Sequence, residues 1–248
     1  MRRPLVFLAR KRPERASSFR VRPEARATTS TTHTRKLMTN GAPETYLIGI
    51  DVSHYQGAVN WPEVKGAGCA FAFAKATEAT SIVDPEFAAN WSGMKSAGLV
   101  RGAYHFFRPE QDAVAQANHF LQVVQLEPGD LPPVIDIELN DGVTGGALIA
   151  GVGNWIDTVA EATGMTPLIY TAAYFWNEYM NDGFGKFPLW LAHDTNAPTP
   201  QPLPNGWTNW TFWQYSQSLA IPGVPGAADH NRFNGAQSDL QALTKQAT

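Results

Sequence analysis

Leu-Pro-Pro-Val-Ile-Asp-Ile-Glu, residues 131–138, reads as a short apolar strand that ends on two acids. Side chains of a strand alternate faces, so Asp136 and Glu138 point the same way, with α-carbons ~6.6 Å apart at ~3.3 Å per residue. Two acids on one face, where a hydrophobic strand meets a polar loop, repel each other and raise the pKa of one of them. Such a pair can supply a proton donor and a negative stabiliser for hydrolysing a glycosidic bond. The plainer reading is a strand end whose acids face water or cap the next helix, since perturbed acids also occur in structural networks.

Outward from this strand, short apolar runs alternate with amphipathic segments. Tyr46–Ser53, Cys69–Thr77 and Leu99–Phe107 read as strands before it, and Pro167–Ala173 as a strand after it. Between them the spacing predicts helices at Trp61–Gly68, Asp84–Gly98, Glu110–Gln125 and Gly146–Thr163. Asp84 is placed as the N-cap of the second of these, with Pro85 at its first position and Gly98 at its end. Beyond residue 173 a short helix follows and then helices fade. Phe187–Asp194 and Thr211–Ser216 read as strands, and Ile221–Gly235 as a hairpin-like ending. Strands alternating with helices imply a parallel sheet, and about eight of them imply closure. The expected fold is α/β, a single irregular TIM-like (β/α) barrel whose last helices are reduced or missing. No Gly-rich phosphate loop follows the first strand, which disfavours a nucleotide-binding sheet.

At 248 residues, 44% hydrophobic and 17% charged, the chain can bury a full core. No apolar run approaches the ~20 residues of a membrane helix, and a lone Cys69 in an apolar run reads as a core thiol. Net charge is split. Residues 1–36 hold nine Arg and two Lys against Glu14 and Glu24, a net of +9, while the 8 basic and 20 acidic residues that follow leave −12. Residues 1–45 are therefore set apart as a basic extension, expected to be disordered, and 46–248 as the catalytic barrel. A solvated tail is the favoured reading of the extension; an anion-binding arm, a transit peptide and upstream sequence before a true start at Met38 are the others. Its longest apolar stretch, Leu5 to Ala9, is too short for a secretory signal.

In a parallel barrel, chemistry sits at the C-terminal ends of the strands. Those ends carry Asp51, Lys75 with Glu78, Tyr104 with His105, Asp136 with Glu138, and Tyr170. Later strands add Trp190 with His193, Gln214, and Asp229 with His230. Aromatic rings suit the C–H faces of a sugar, and Tyr104, Tyr170, Trp190 and Trp213 are candidates; Trp61, Trp91, Trp155 and Trp176 lie in helical stretches and read as packing.

The segments GIDVSHYQG (49–57), FAKATE (73–78), GAYHFF (102–107), DIE (136–138), LIYT (168–171), LWLA (189–192) and WQYS (213–216) occur in the order seen in glycoside hydrolase family 25. Over roughly residues 46–235 the chain resembles these N-acetylmuramidase-type lysozymes. The resemblance implies an acidic groove that hydrolyses the β-1,4 bond between N-acetylmuramic acid and N-acetylglucosamine, with Glu138 as proton donor and Asp136 orienting the substrate or stabilising its charge. It implies that Asp51 and Asp229 complete the acidic cluster, and that Tyr104, Tyr170 and Gln214 contact substrate; Trp190 and His105 join them as candidates. Ala79 stands where the family commonly has Gly, His193 where an aromatic is expected, and AADHNRF (227–233) is looser than the family's last motif. Neither a metal nor another cofactor is expected. The expected partner is the glycan strand of peptidoglycan, with no nucleic acid or membrane, acted on by a monomer at the cell wall.

Two acids two residues apart on one strand approach a bond from one side, which fits neither a direct double displacement nor an inversion. Substrate assistance by the 2-acetamido group is the expected mechanism. Asp51 or Asp229 becomes nucleophile or base if it lies across the groove. The rival classes are a metal-dependent barrel hydrolase using His54, His105, His193 or His230, which lack tight ligand spacing, and a non-catalytic wall-binding protein.

Overall fold

Alternation along each strand sorts the side chains into an inner and an outer set. On Phe71–Glu78, Phe71 and Phe73 pack in one buried cluster with Leu168, Trp190 and Phe212, while Ala72, Ala74 and Ala76 pack in another with the helices. The first cluster fills a barrel and the second lies between barrel and helices. The computed structural model describes residues 46–247; the expectations for residues 1–45 lie outside them.

In chain order the elements are β1 (Leu47–Val52), α1 (Trp61–Gly66), β2 (Phe71–Glu78), β3 (Ile82–Val83), α2 (Phe87–Ser96), β4 (Val100–Phe106), α3 (Ala113–Val123) and β5 (Val134–Asp136). There follow α4 (Gly145–Thr163), β6 (Leu168–Ala172), α5 (Ala173–Tyr179), β7 (Leu189–Ala192), β8 (Phe212–Ala220), β9 (Ala227–Phe233) and α6 (Gln237–Leu243). The sheet order is β1-β9-β8-β7-β6-β5-β4-β2, and pairing of β1 with β2 closes it into an eight-stranded barrel. β3 is a two-residue addition to the edge of β2. The expected α/β barrel is the observed fold.

Four details differ from the sequence reading. β9 runs antiparallel to both β1 and β8, so the barrel closes through a hairpin rather than a parallel crossover. The hairpin is made by β8 extended to Ala220 and β9, so the expected ending at Ile221–Gly235 is one arm of it. A last helix, α6, follows where none was expected. Asp84 is not a helix cap: one carboxylate oxygen accepts from the amide of Glu86 at 3.0 Å and the other from the amide and Nδ1 of His54 at 3.0 and 2.7 Å. The helix begins three residues later, at Phe87.

The barrel interior is filled by large rings entering beside small residues. A Cβ on Gly102 would lie 2.3 Å from the ring of Phe73, which is why β4 carries glycine there. Phe73 stacks on Trp190 with centroids 4.3 Å apart, and both meet the edge network of Phe212 and Tyr170. This plug closes the barrel below its C-terminal mouth.

Candidate active site

Asp51, Asp136, Glu138 and Asp229 share that mouth. On β5, Val134 belongs to the inner cluster and Ile135 and Ile137 to the outer one, so Asp136 and Glu138 point inward with Val134. The amide of Phe107 donates to the Asp136 carbonyl at 2.9 Å and that of Ile137 to the Tyr170 carbonyl at 3.0 Å, which keeps the chain extended past the end of the strand. Asp51 of β1 is directly paired with Asp229 of β9. In the eight-strand circle β9 lies four strands from β5 in either direction, so the Asp51/Asp229 wall faces the Asp136/Glu138 wall.

Burial raises the affinity of all four for protons. Asp51 is held well above the ordinary carboxylate range by burial and by the charge of Asp229, against amide donors from Gln214 and Asn231. Asp136 is held well above it by burial and by the charge of Glu138. Glu138 is raised by burial, with Lys75 opposing, and Asp229 is raised to about 6 by burial. All four are thus shifted in the direction that a general acid requires.

A buried network orients one wall. Asn231 Nδ2 donates to Asp51 Oδ2 at 2.7 Å, and Gln214 Nε2 donates to the same oxygen at 3.0 Å. The Tyr170 hydroxyl donates to Gln214 Oε1 at 2.9 Å and Trp190 Nε1 to Asn231 Oδ1 at 2.8 Å. Asp136 Oδ1, by contrast, is buried without a hydrogen-bond partner. Burial raises the Tyr104 and Tyr170 hydroxyls well above their usual range, so both remain donors.

Asp51, Asp136, Glu138, Asp229, Tyr104, Tyr170 and Gln214 are thus brought together, and three aromatic or imidazole candidates are not placed at an open sugar face. His105 is wholly buried on the outer side of β4, stacked on Trp155. Its Nε2 donates to Gln116 Oε1 at 3.0 Å and its Nδ1 accepts from Thr77 Oγ1 at 2.7 Å; burial lowers its pKa to about 3. Strand alternation is the reason: Tyr104 faces in, so His105 faces out. Trp190 is 1% exposed and lies beneath Tyr104 and Tyr170 as the floor of the mouth rather than a surface for sugar. Trp213 also faces outward, its Nε1 donating to the His193 carbonyl at 2.8 Å.

Sequence reasoning passed over Asn231, although Asp229, Asn231 and Phe233 share one face at i, i+2 and i+4. It also passed over Tyr55 (81% exposed) and Tyr174 (72%), in the segments that leave β1 and β6; rings next to strand ends were the available signal. Ala79, in place of the family's glycine, has φ +55°, a left-handed conformation that glycine adopts without strain. Among the described residues no group of three or more His, Cys, Asp or Glu is arranged to hold a metal ion.

The profile of Glycosyl hydrolases family 25 matches residues 50–224. Lysozyme M1 of Streptomyces globisporus is 41% identical over 212 residues, 79% of this chain and 70% of that protein. N,O-diacetylmuramidase of Chalaropsis sp is 32% identical over 79% of this chain and 97% of its own length. The crystal structure of the bacterial lysozyme from Streptomyces coelicolor superposes with a TM-score of 0.76 at 39% identity, covering 81% of this chain and 98% of that one. With the family profile matched over most of the barrel and these relatives aligned along it, the chain belongs to the glycosyl hydrolases of family 25.

Proposed function

We propose that Glu138 is the general acid and base with which this peptidoglycan muramidase cuts the β-1,4 bond between N-acetylmuramic acid and N-acetylglucosamine. The observation that carries the assignment is the placement of Asp136 and Glu138, adjacent and inward at the end of β5, in a buried mouth that favours protonated carboxyls. Protonated Glu138 donates to the glycosidic oxygen as the bond to the anomeric carbon breaks. The carbonyl oxygen of the substrate's 2-acetamido group bonds to that carbon, giving an oxazolinium ion and a free alcohol. Asp136 stabilises the positive charge, and its unpartnered Oδ1 is a ready acceptor for the acetamido N–H. Glu138, now ionised, removes a proton from water as the water oxygen attacks the anomeric carbon, and the acetamido group is released with net retention.

Asp51 accepts from both Gln214 and Asn231 and orients the far wall, where Tyr170 supplies a hydroxyl and Tyr104 a second. Residues 46–248 act as the catalytic domain, as a monomer and without a cofactor, on glycan strands at the cell wall, and 1–45 as an extension the chemistry does not use. The position of Asp229 across the mouth favours a second reading, single displacement with Asp229 as base.

The test is digestion of purified peptidoglycan by wild type and Glu138→Gln, with mass spectrometry of the new reducing ends and NMR of the first-formed anomer. Reducing-end muramic acid should appear with wild type and fall 10²–10⁴-fold, roughly, in the variant. Equal activity in both removes Glu138 from the role. An inverted first product replaces substrate assistance with the Asp229 reading.

A further inference from the structure

We propose that Lys75 is a positioning residue for the Asp136/Glu138 pair: a shared cation in the mouth, joined there by Glu78 through a bulge in β2, that holds the pair at one proton. The inference rests on the reading of Asp136 and Glu138 given above. Its starting point is backbone geometry. Strand β2 pairs with β4 in regular register as far as Lys75 with Tyr104, then shifts so that Thr77 pairs with His105 and Glu78 with Phe106. One extra residue has been inserted, as in a β-bulge, a device that re-aims side chains beside active sites.

The consequence is specific. Simple alternation would turn Lys75 and Thr77 inward. With the bulge Thr77 goes outward, to His105 Nδ1 at 2.7 Å, and Glu78 comes inward with Lys75. Lys75 Nζ then meets Glu78 Oε2 at 2.6 Å and sits 4.8 Å from the centre of the Phe106 ring, its side chain only 11% exposed. Glu78, Phe106 and Asp136 are consecutive partners across β2, β4 and β5, so the ammonium lies on the row that ends in Asp136.

A cation sequestered by one carboxylate is of little use to another, and the far side of Glu78 settles how firmly it is held. Glu78 Oε1 has Arg108 Nη1 3.6 Å away, and Arg108 Nε is 2.9 Å from Asp141. Glu78 is thus shared between Lys75 and Arg108, which leaves part of the Lys75 charge for Asp136 and Glu138. The groups facing that pair are Lys75 and Glu78 from β2, Tyr104 from β4, Tyr170 from β6, Asp51 from β1 and Asp229 from β9. The start of α5 adds Tyr174, whose hydroxyl feels the charge of Glu138. Burial and carboxylate repulsion push Asp136 toward the neutral form, burial does the same to Glu138, and Lys75 opposes the push in both. Without it both are pushed further toward the neutral form, and Asp136 loses charge with which to stabilise the oxazolinium ion.

The test uses the full chain and the two members of the ion pair. The pH profile of kcat on purified peptidoglycan and the ¹³C carboxyl NMR titration of the substrate-free protein are measured for wild type, Lys75→Met, Lys75→Arg and Glu78→Gln. Lys75→Met should move both limbs of the profile upward by about one pH unit, the size expected of a neighbouring charge, and Lys75→Arg should restore them. Glu78→Gln removes a negative charge and frees the ammonium, so it should move both limbs downward. A merely structural ion pair predicts the same direction from either partner, and equal or unmoved limbs overturn the proposal. If Lys75→Met fails to fold, the direction of Glu78→Gln decides alone: a downward shift supports the proposal and any other result overturns it. A wild type that releases no muramic acid ends the functional reading instead, while the carboxyl titration still decides the electrostatic one.

Discussion

Replacing Asp229 by Asn should stabilise this protein at neutral pH while leaving it unchanged in acid. Asp229 faces inward on β9 beside Asp51, and burial raises its carboxyl from the ordinary 3.8 to about 6. An acid whose folded value is raised binds its proton more firmly in the native than in the unfolded chain. Its contribution to stability is therefore complete below the unfolded value and is lost as pH rises through the folded one. From 3.8 to about 6, at 1.36 kcal/mol per pH unit, the native state loses about 3 kcal/mol. An amide at this position never ionises and avoids the loss. It also removes the charge that disfavours ionisation of Asp51. Urea unfolding at pH 4 and pH 7.5 is the assay. The two proteins should be near equal at pH 4, and Asp229→Asn should lead by about 3 kcal/mol at pH 7.5. For a domain of this size that is roughly 6–12 °C in Tm. A difference that does not change with pH, or a variant less stable at pH 7.5, refutes the reasoning.

Asn231→Leu removes the 2.7 Å donor to Asp51, which keeps Gln214, and the acceptor for Trp190 Nε1, which is left buried and unpaired. It should cost about 1–3 kcal/mol for the orphaned indole N–H, measured by chemical unfolding; a neutral result contradicts the network. His105→Leu should cost stability of about 1–3 kcal/mol through the lost Thr77 and Gln116 bonds. Its kcat/KM should be unchanged, and a rise in KM without loss of stability would return His105 to the substrate site. Ala79→Gly should stabilise by about 1 kcal/mol, because the +55° backbone angle then carries no Cβ penalty; a lower Tm argues against strain at that turn.

The barrel was legible because its signals are local. Each of the strands at Leu47–Val52, Leu168–Ala172 and Leu189–Ala192 is an apolar run between turn residues, and the long helix Gly145–Thr163 has its buried residues at helical spacing and ends on left-handed Gly164. The antiparallel β9 was not legible, since a strand's direction depends on its neighbours. In the site, Asp136 and Glu138 were readable from alternation alone, and alternation, carried one residue further along GAYHFF, also turns His105 away from the mouth. Trp190 shows the opposite limit. It faces inward as its position implied, but whether an inward ring is floor or wall depends on how far it lies below the strand ends and on what stacks over it.

By itself the amino-acid sequence determined the α/β barrel, the family and the inward pairing of Asp136 with Glu138, because hydrophobic period and motif order are properties of neighbouring residues. Only the tertiary structure decided that Asp229 stands beside Asp51 across the mouth, that Asn231 and Gln214 hold Asp51, and that a bulge turns Glu78 toward the acids beside Lys75. Those depend on register and closure between strands as much as 180 residues apart in the chain. Such contacts form only when the last strand completes the circle.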